Sequence, residues 1–191
     1  IKAMPKMAPH LAYRLRSKGN LQAQTTLNLE YQATFNAIAQ QTRLAPHTNM
    51  AMLLAHAKTG EIHAYVGSQS YTDFAQLGAI DYSQAIRSPG STLKPFIYAQ
   101  AASEQLIHLN GMIQDVAINI QGYQPQNLSR RFHGDITIGE ALQRSLNIPA
   151  VKVLHKLGPE RFKSKLAQAQ IPLRHGEGLP IALGGAGLTL H

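Results

Sequence analysis

Ser91 and Lys94 are the residues of this chain whose types and spacing most directly suggest chemistry. They stand in the run Arg87-Ser88-Pro89-Gly90-Ser91-Thr92-Leu93-Lys94-Pro95-Phe96-Ile97-Tyr98-Ala99. Pro89-Gly90 is a turn signal, because proline presets one backbone angle and glycine accepts the strained one. The mostly apolar stretch that follows lacks further glycine and reads as a helix entered at about Ser91 and running to about Glu104. Pro95 falls in its first turn, where a missing N–H would have had no partner. A spacing of three residues makes Ser91 and Lys94 neighbours on one helical face. A serine hydroxyl is a poor nucleophile until a base takes its proton, and a lysine desolvated in a cleft can shed its charge and become that base. At a helix N-terminus, free N–H groups would also favour the negative charge that develops in acyl transfer. S-x-x-K is a short pattern that arises equally as a surface serine beside a solvated lysine. Here it occurs once, in a turn-to-helix context, which favours the catalytic reading.

Ser145 and Asn147 form the second polar pair, and their position between two expected helices is what matters. Thr137-x-x-Glu140 is a capping box that opens the first helix, which ends near Ser145-Leu146-Asn147. Pro149 opens the second, which stops at Gly158. A junction of this kind can turn both side chains into a cleft. The hydroxyl could relay a proton and the amide could bind a peptide backbone. The plainer alternative makes Asn147 a helix cap and Ser145 a last-turn hydroxyl.

The elements that must position these residues can be sketched from pattern. Residues 1–20 read as a connector, with one or two helical turns in Leu11-Ala12-Tyr13-Arg14-Leu15-Arg16. Leu21 to Thr26 alternates like a short strand. Asn28 is a candidate N-cap for a helix to about Gln41, with Leu29, Phe35, Ile38 and Ala39 near one face. Ala51 to Ala57 and Glu61 to Val66 read as a hairpin turning at Lys58-Thr59-Gly60. Gly67 to Gly78 is a polar loop, and Ala79 to Ile86 leads into the serine turn. Leu106 to Asn119 is irregular with a strand-like end, and Gly122 to Gly134 is a long polar loop of the kind that tends to be functional. Pro159 to Gln170 is an amphipathic helix with Phe162, Leu166 and Ala169 on a stripe, and Gly176 to Gly187 is glycine-rich.

Composition narrows the function classes. The chain has 191 residues, 44% hydrophobic and 15% charged, which is enough to bury a core and unlike a disordered chain. Without cysteine it can have neither disulfides nor thiol chemistry. No apolar run is long enough to cross a bilayer. The net charge of +8 invites a nucleic-acid reading, but the basic residues are dispersed and no aromatic and basic recognition signature accompanies them. Such a surface suits an acidic polymer or a carboxylate substrate equally well. The nine histidines, His56 and His63 among them, lack metal-ligand spacing, so neither a metal nor another cofactor is expected.

Together, Ser91-x-x-Lys94 and Ser145-x-Asn147 resemble the active-site-serine D,D-transpeptidase family of penicillin-binding proteins, whose motifs are S-x-x-K, S-x-N and K-T-G. Further stretches resemble the same family in order. These are Thr25-Thr26-Leu27-Asn28, Thr59-Gly60-Glu61-Ile62 with Ala64-Tyr65-Val66-Gly67, and Gly139-Glu140-Ala141-Leu142-Gln143-Arg144-Ser145-Leu146-Asn147-Ile148-Pro149-Ala150. Tyr123-Gln124-Pro125-Gln126-Asn127 with Arg131-Phe132-His133-Gly134 is most similar to the 1C type of bifunctional class A members.

The resemblance implies an α+β fold, an antiparallel sheet flanked by helices with an all-helical subdomain, of which residues 21–191 would be the N-terminal portion. It implies that Ser91 is the acylated nucleophile, Lys94 its base, Ser145 the proton-relay hydroxyl and Asn147 the ligand of the substrate amide, with the Ser91 N–H as one oxyanion donor. The substrate would be a D-alanyl-D-alanine stem peptide of peptidoglycan, cross-linked through an acyl-enzyme that β-lactams mimic. The setting would be the periplasmic face of a bacterial inner membrane, in a parent protein with a membrane anchor and a glycosyltransferase domain.

The third motif is out of place. The sole Lys-Thr-Gly, at 58–60, lies upstream in the expected hairpin and reads as turn chemistry. The resemblance therefore implies a cleft strand beyond His191, and a fragment inactive without it. Loss of an oxyanion donor costs about a hundredfold or more in rate. Three alternatives stand beside the transpeptidase: a D,D-carboxypeptidase or β-lactamase-like hydrolase, a non-catalytic β-lactam-sensing domain, and a basic nucleic-acid binder.

Overall fold

The structure is a computed structural model that describes residues 7–19 and 22–191. Residues 1–6 and 20 of the expected connector, and Leu21 of the expected first strand, lie outside the described residues. The backbone is mixed α+β and gathers into two units, one of residues up to Ala85 with Thr189–His191, the other of Ile86–Leu188. Each unit carries one two-stranded antiparallel ladder.

In the first unit α1 spans Pro9–Ser17, longer than the one or two turns expected. Helix α2, Leu29–Gln41, begins where the sequence says it should, with the Asn28 side chain accepting from the backbone N–H groups of Glu30 and Tyr31. Its buried face matches the expected one only in part: Ala39 is buried and Phe35 half-buried, but Leu29 is 74% exposed, Ile38 is exposed too, and Gln32 is buried in their place. The reason is local. Strand β1 (Met52–Ala55) pairs with β2 (Ile62–Val66), and the Gln32 amide bonds to both the N–H and the carbonyl of Tyr65 on β2. A buried amide with all its partners is stable where a strand neighbour would otherwise be needed.

The stretch before α2 also serves that edge without being a strand. No strand is assigned in residues 22–28, but Thr26 Oγ1 donates to the Ile62 carbonyl and Asn28 N to the His63 carbonyl. The turn at His56–Gly60 matches the hairpin reading of Lys58-Thr59-Gly60. Gly60 N donates to the His56 carbonyl, and Thr59 Oγ1 bonds His56 Nδ1 and Glu61.

The second unit is built around α5, Asn147–Leu157, a helix buried on most of its surface through Ile148, Ala150, Val151, Val153, Leu154 and Leu157. It opens two residues before Pro149 and stops at Gly158, whose φ of +90° a side chain would strain. Helix α3, Lys94–Ser103, packs Ile97, Tyr98 and Ala101 against it. Helix α6, Pro159–Gln168, adds Phe162 and Leu166, while Ala169 of the expected stripe falls at the exposed C-cap. Strands β3 (Met112–Asp115) and β4 (Gly134–Thr137) pair in register. The sequence reading had only a strand-like end for the first of these and a loop up to Gly134 for the second. Thr137 caps α4, Ile138–Gln143, by accepting from Glu140 N, as the capping box requires.

The glycine-rich stretch forms a short 3-10 helix at Leu179–Leu183 that packs against the serine turn. Ser88 Oγ donates to the Gly184 carbonyl at 2.7 Å, and Arg87 and Leu188 exchange backbone hydrogen bonds. A Cβ on Gly184, where φ is +89°, would lie 2.6 Å from the backbone of Gly90. Only glycine allows this contact.

Candidate active site

The expected helix at Ser91 divides into a 3-10 turn, Gly90–Leu93, and then α3. Lys94 N donates to the Ser91 carbonyl, the i to i+3 bond of that turn. With three residues per turn, side chains at i and i+3 eclipse, so Ser91 and Lys94 emerge on one side. Ser91 is exposed at the wall of an open cleft of about 600 Å³ that also takes in Asn127, His133, Arg144, Ser145 and Asn147. All of these residues belong to the second unit. Among the described residues the Ser91 hydroxyl has no hydrogen-bond partner.

Lys94 is buried, 1% exposed, and its amine is tied to the junction between α4 and α5. Nζ donates to the Ser145 carbonyl at 2.6 Å and to Asn147 Oδ1 at 2.7 Å, with Ser145 Oγ at 3.4 Å. Burial lowers its pKa from 10.5 to about 8, because desolvation penalises the ammonium. A neutral amine has two N–H bonds and one lone pair. With both hydrogens directed at the Ser145 carbonyl and Asn147, the lone pair is what remains for a proton donor. The structure thus brings Lys94, Ser145 and Asn147 into direct contact and sets Ser91 on the same cleft.

The junction is held by an unusual backbone. Ser145 has φ +52°, a left-handed conformation uncommon for serine, and it turns both its carbonyl and its hydroxyl toward the lysine. Asn147 is not a cap. Leu146 occupies the N-cap position with no side-chain bond, and the free N–H groups of Asn147 and Ile148 are taken instead by Asn127 Oδ1, at 2.9 and 3.4 Å. The amide of Asn147 is engaged at both ends, through Oδ1 with Lys94 and through Nδ2 with the Gln126 carbonyl.

Asp115, Asn127 and His133 are the site-forming residues that motif spacing does not single out. Asp115 is fully buried at the end of β3 and accepts from both Asn127 and His133. The long polar loop and the 1C-like stretches within it were the available signals, and they carry two of the three, Asn127 and His133. His56 and His63 lie with ring centroids 6.1 Å apart, and no group of three or more His, Cys, Asp or Glu able to hold a metal ion occurs among the described residues.

Comparison with known proteins agrees in outline. The family model "Penicillin binding protein transpeptidase domain" matches residues 50–187. Penicillin-binding protein 1C of Escherichia coli K12 is 39% identical over 98% of this chain, which covers 25% of that protein. Among solved structures, penicillin-binding protein 1A of Haemophilus influenzae is similar at 28% identity and a TM-score of 0.65, over 78% of this chain and 22% of that one. PonA1 of Mycobacterium tuberculosis, solved in complex with penicillin V, shares the fold at 22% identity and a TM-score of 0.72, over 93% of this chain and 50% of that one. The chain spans about a quarter of the length of its curated relatives.

Proposed function

The chain belongs to the transpeptidase domain family of penicillin-binding proteins, and from that premise we propose that it contributes Ser91, Lys94, Ser145 and Asn147 to a serine acyl-transfer site that cross-links peptidoglycan. In this reading residues 21–191 are the N-terminal part of the transpeptidase domain and 1–20 a connector. The substrate is a stem peptide ending in D-alanyl-D-alanine, and the likeness to the 1C protein points to a class A parent with a glycosyltransferase domain, anchored at the periplasmic face. Among the described residues no helix is long and apolar enough to cross a membrane.

The chemistry follows from the lysine. Neutral Lys94 takes the proton of Ser91, and Oγ attacks the carbonyl carbon of the penultimate D-alanine. The C–N bond breaks, and the terminal D-alanine leaves with a proton passed from Lys94 through the Ser145 hydroxyl. An amine then attacks the ester, its proton returns to the Ser91 oxygen, and the cross-link is released. Asn147, held by Gln126 and Lys94, offers its remaining amide hydrogen to the peptide backbone. The Ser91 N–H contributes one donor to the oxyanion. A β-lactam enters the same path, in keeping with the penicillin V complex of PonA1.

The single observation that carries the reading is the buried Lys94 amine bonded to the Ser145–Asn147 corner on the cleft that exposes Ser91. The test is incubation of the full-length protein with labelled penicillin and mapping of the modified residue. Label on Ser91, lost in Ser91→Ala, is expected. Label elsewhere, or none, overturns the assignment, and rapid release of the label favours a β-lactamase-like hydrolase.

A further inference from the structure

The lysine corner is one wall of the cleft. The loop between β3 and β4 supplies another, and with it a second polar cluster. The buried carboxylate of Asp115 accepts from Asn127 Nδ2 at 2.9 and 2.8 Å, from His133 N at 3.0 Å and from His133 Nδ1 at 2.8 Å. An ionised carboxylate only accepts, so the hydrogen shared with His133 belongs to the imidazole Nδ1. That bond fixes the ring orientation, and in the neutral imidazole carrying its hydrogen on Nδ1 it leaves Nε2 as the nitrogen with a lone pair. His133 lines the cleft with Ser91, Ser145 and Asn147, its side chain is 28% exposed, and Nε2 bonds to none of the described residues.

A bland role is available, in which His133 simply helps to satisfy a buried carboxylate. Three of the four bonds to Asp115 come from groups other than the imidazole, so the ring is not required for that purpose. The cluster also reaches the reacting corner. Asn127 donates to Asp115 with one end of its amide and accepts from Asn147 N and Ile148 N with the other. The imidazole of His133 and the amide of Asn147 are therefore fixed in one frame, on walls of one cleft.

We propose that His133 is a substrate-contacting residue, its Nε2 accepting a hydrogen bond from a backbone N–H of the peptide bound beside Ser91. This rests on the acyl-transfer reading above, which supplies the peptide. Asp115 and Asn127 are positioning residues that hold His133 and Asn147 at a fixed separation.

Two variants separate contact from support. His133→Asn keeps a donor within reach of Asp115 but has nothing at the Nε2 position. His133→Gln places a carbonyl oxygen near that position and gives up the bond to Asp115. Steady-state turnover of an N-acyl-D-alanyl-D-alanine peptide by the full-length protein is measured for both, with labelled penicillin on Ser91 in the same preparations reporting the folded, reactive fraction. His133→Asn is expected to raise KM about tenfold with kcat within about twofold, the effect of one lost hydrogen bond, and His133→Gln to stay within about threefold in KM. The reverse order, equal losses in both, or no change in either overturns the proposal. If wild-type protein takes no label on Ser91, the acyl-transfer reading itself fails, a result distinct from any order of the two variants.

Discussion

At Lys94 two effects oppose each other. Burial disfavours the ammonium, while the Ser145 carbonyl and Asn147 Oδ1 receive its hydrogens in either charge state. With a pKa of about 8, about one molecule in ten holds the free base at neutral pH, against a negligible share for an ordinary lysine. Acylation of Ser91 by penicillin should therefore rise with pH and level off above about pH 8; a flat profile from pH 6 to 9 would remove the lysine from the base role. Stability carries the same signature. Below about pH 8 both folded and unfolded chains hold the proton, and stability does not respond to this group. Between about 8 and 10.5 the unfolded chain binds more protons, so stability rises with pH across that window. The sequence made the lysine and its two partners legible, because serine, lysine and asparagine at fixed offsets already encode one face of a turn and one junction. It did not reveal Asp115. A single aspartate at the end of a strand looks like any solvated carboxylate until the fold buries it.

Elements place these groups, and their ends are where single substitutions should register. Thr137 opens the helix that ends at Gln143, two residues before Ser145, and its hydroxyl accepts from Glu140 N. Thr137→Ala should cost about 1 kcal/mol in denaturant unfolding. A smaller penalty would mean that packing, not the cap, sets where α4 begins. Gly184 is more demanding. A methyl there meets the Gly90 backbone at 2.6 Å, with φ at +89°, so the serine turn or the 179–183 segment must shift. Gly184→Ala is expected to lower penicillin acylation at least tenfold and to destabilise by about 1–3 kcal/mol. Unchanged acylation would show that the turn has room to move. Here the caps at Asn28 and Thr137 were legible in the sequence, since capping is a local rule. The buried face of α2 was legible only in part, because Gln32, not an apolar residue, meets the strand edge, and side-chain pairing with a backbone leaves no periodic trace. The glycines of 176–187 were visible, but the backbone they touch lies far away in sequence.

At the scale of the molecule, the site belongs to one unit and depends on that unit's core. Ser91 and Lys94 lead into α3, Ser145 and Asn147 lead into α5, and the two helices are packed through Ile97, Tyr98, Ala101, Ala150 and Leu154. Phe162 on α6 is fully buried in the same cluster. Phe162→Ala should cost about 3–5 kcal/mol, and acylation should disappear together with the folded population as denaturant is added. Acylation that outlasts the loss of helical signal would separate site from core. The mixed α+β class was legible at this scale through the resemblance that the Ser91-x-x-Lys94 and Ser145-x-Asn147 motifs carry. The grouping into two units was not, because the last three residues join the first 85 through contacts that no local pattern announces.

The seam between Gly90 and Gly184 has a practical meaning for protein engineers. In a library of random variants screened for penicillin labelling, position 184 should come back as an island of intolerance, while Leu128, 98% exposed at the cleft mouth, should accept most replacements. The perch of Ser91 would thus be insured by an atom that is not there, and the site could vary in its rim while that one blank stays blank.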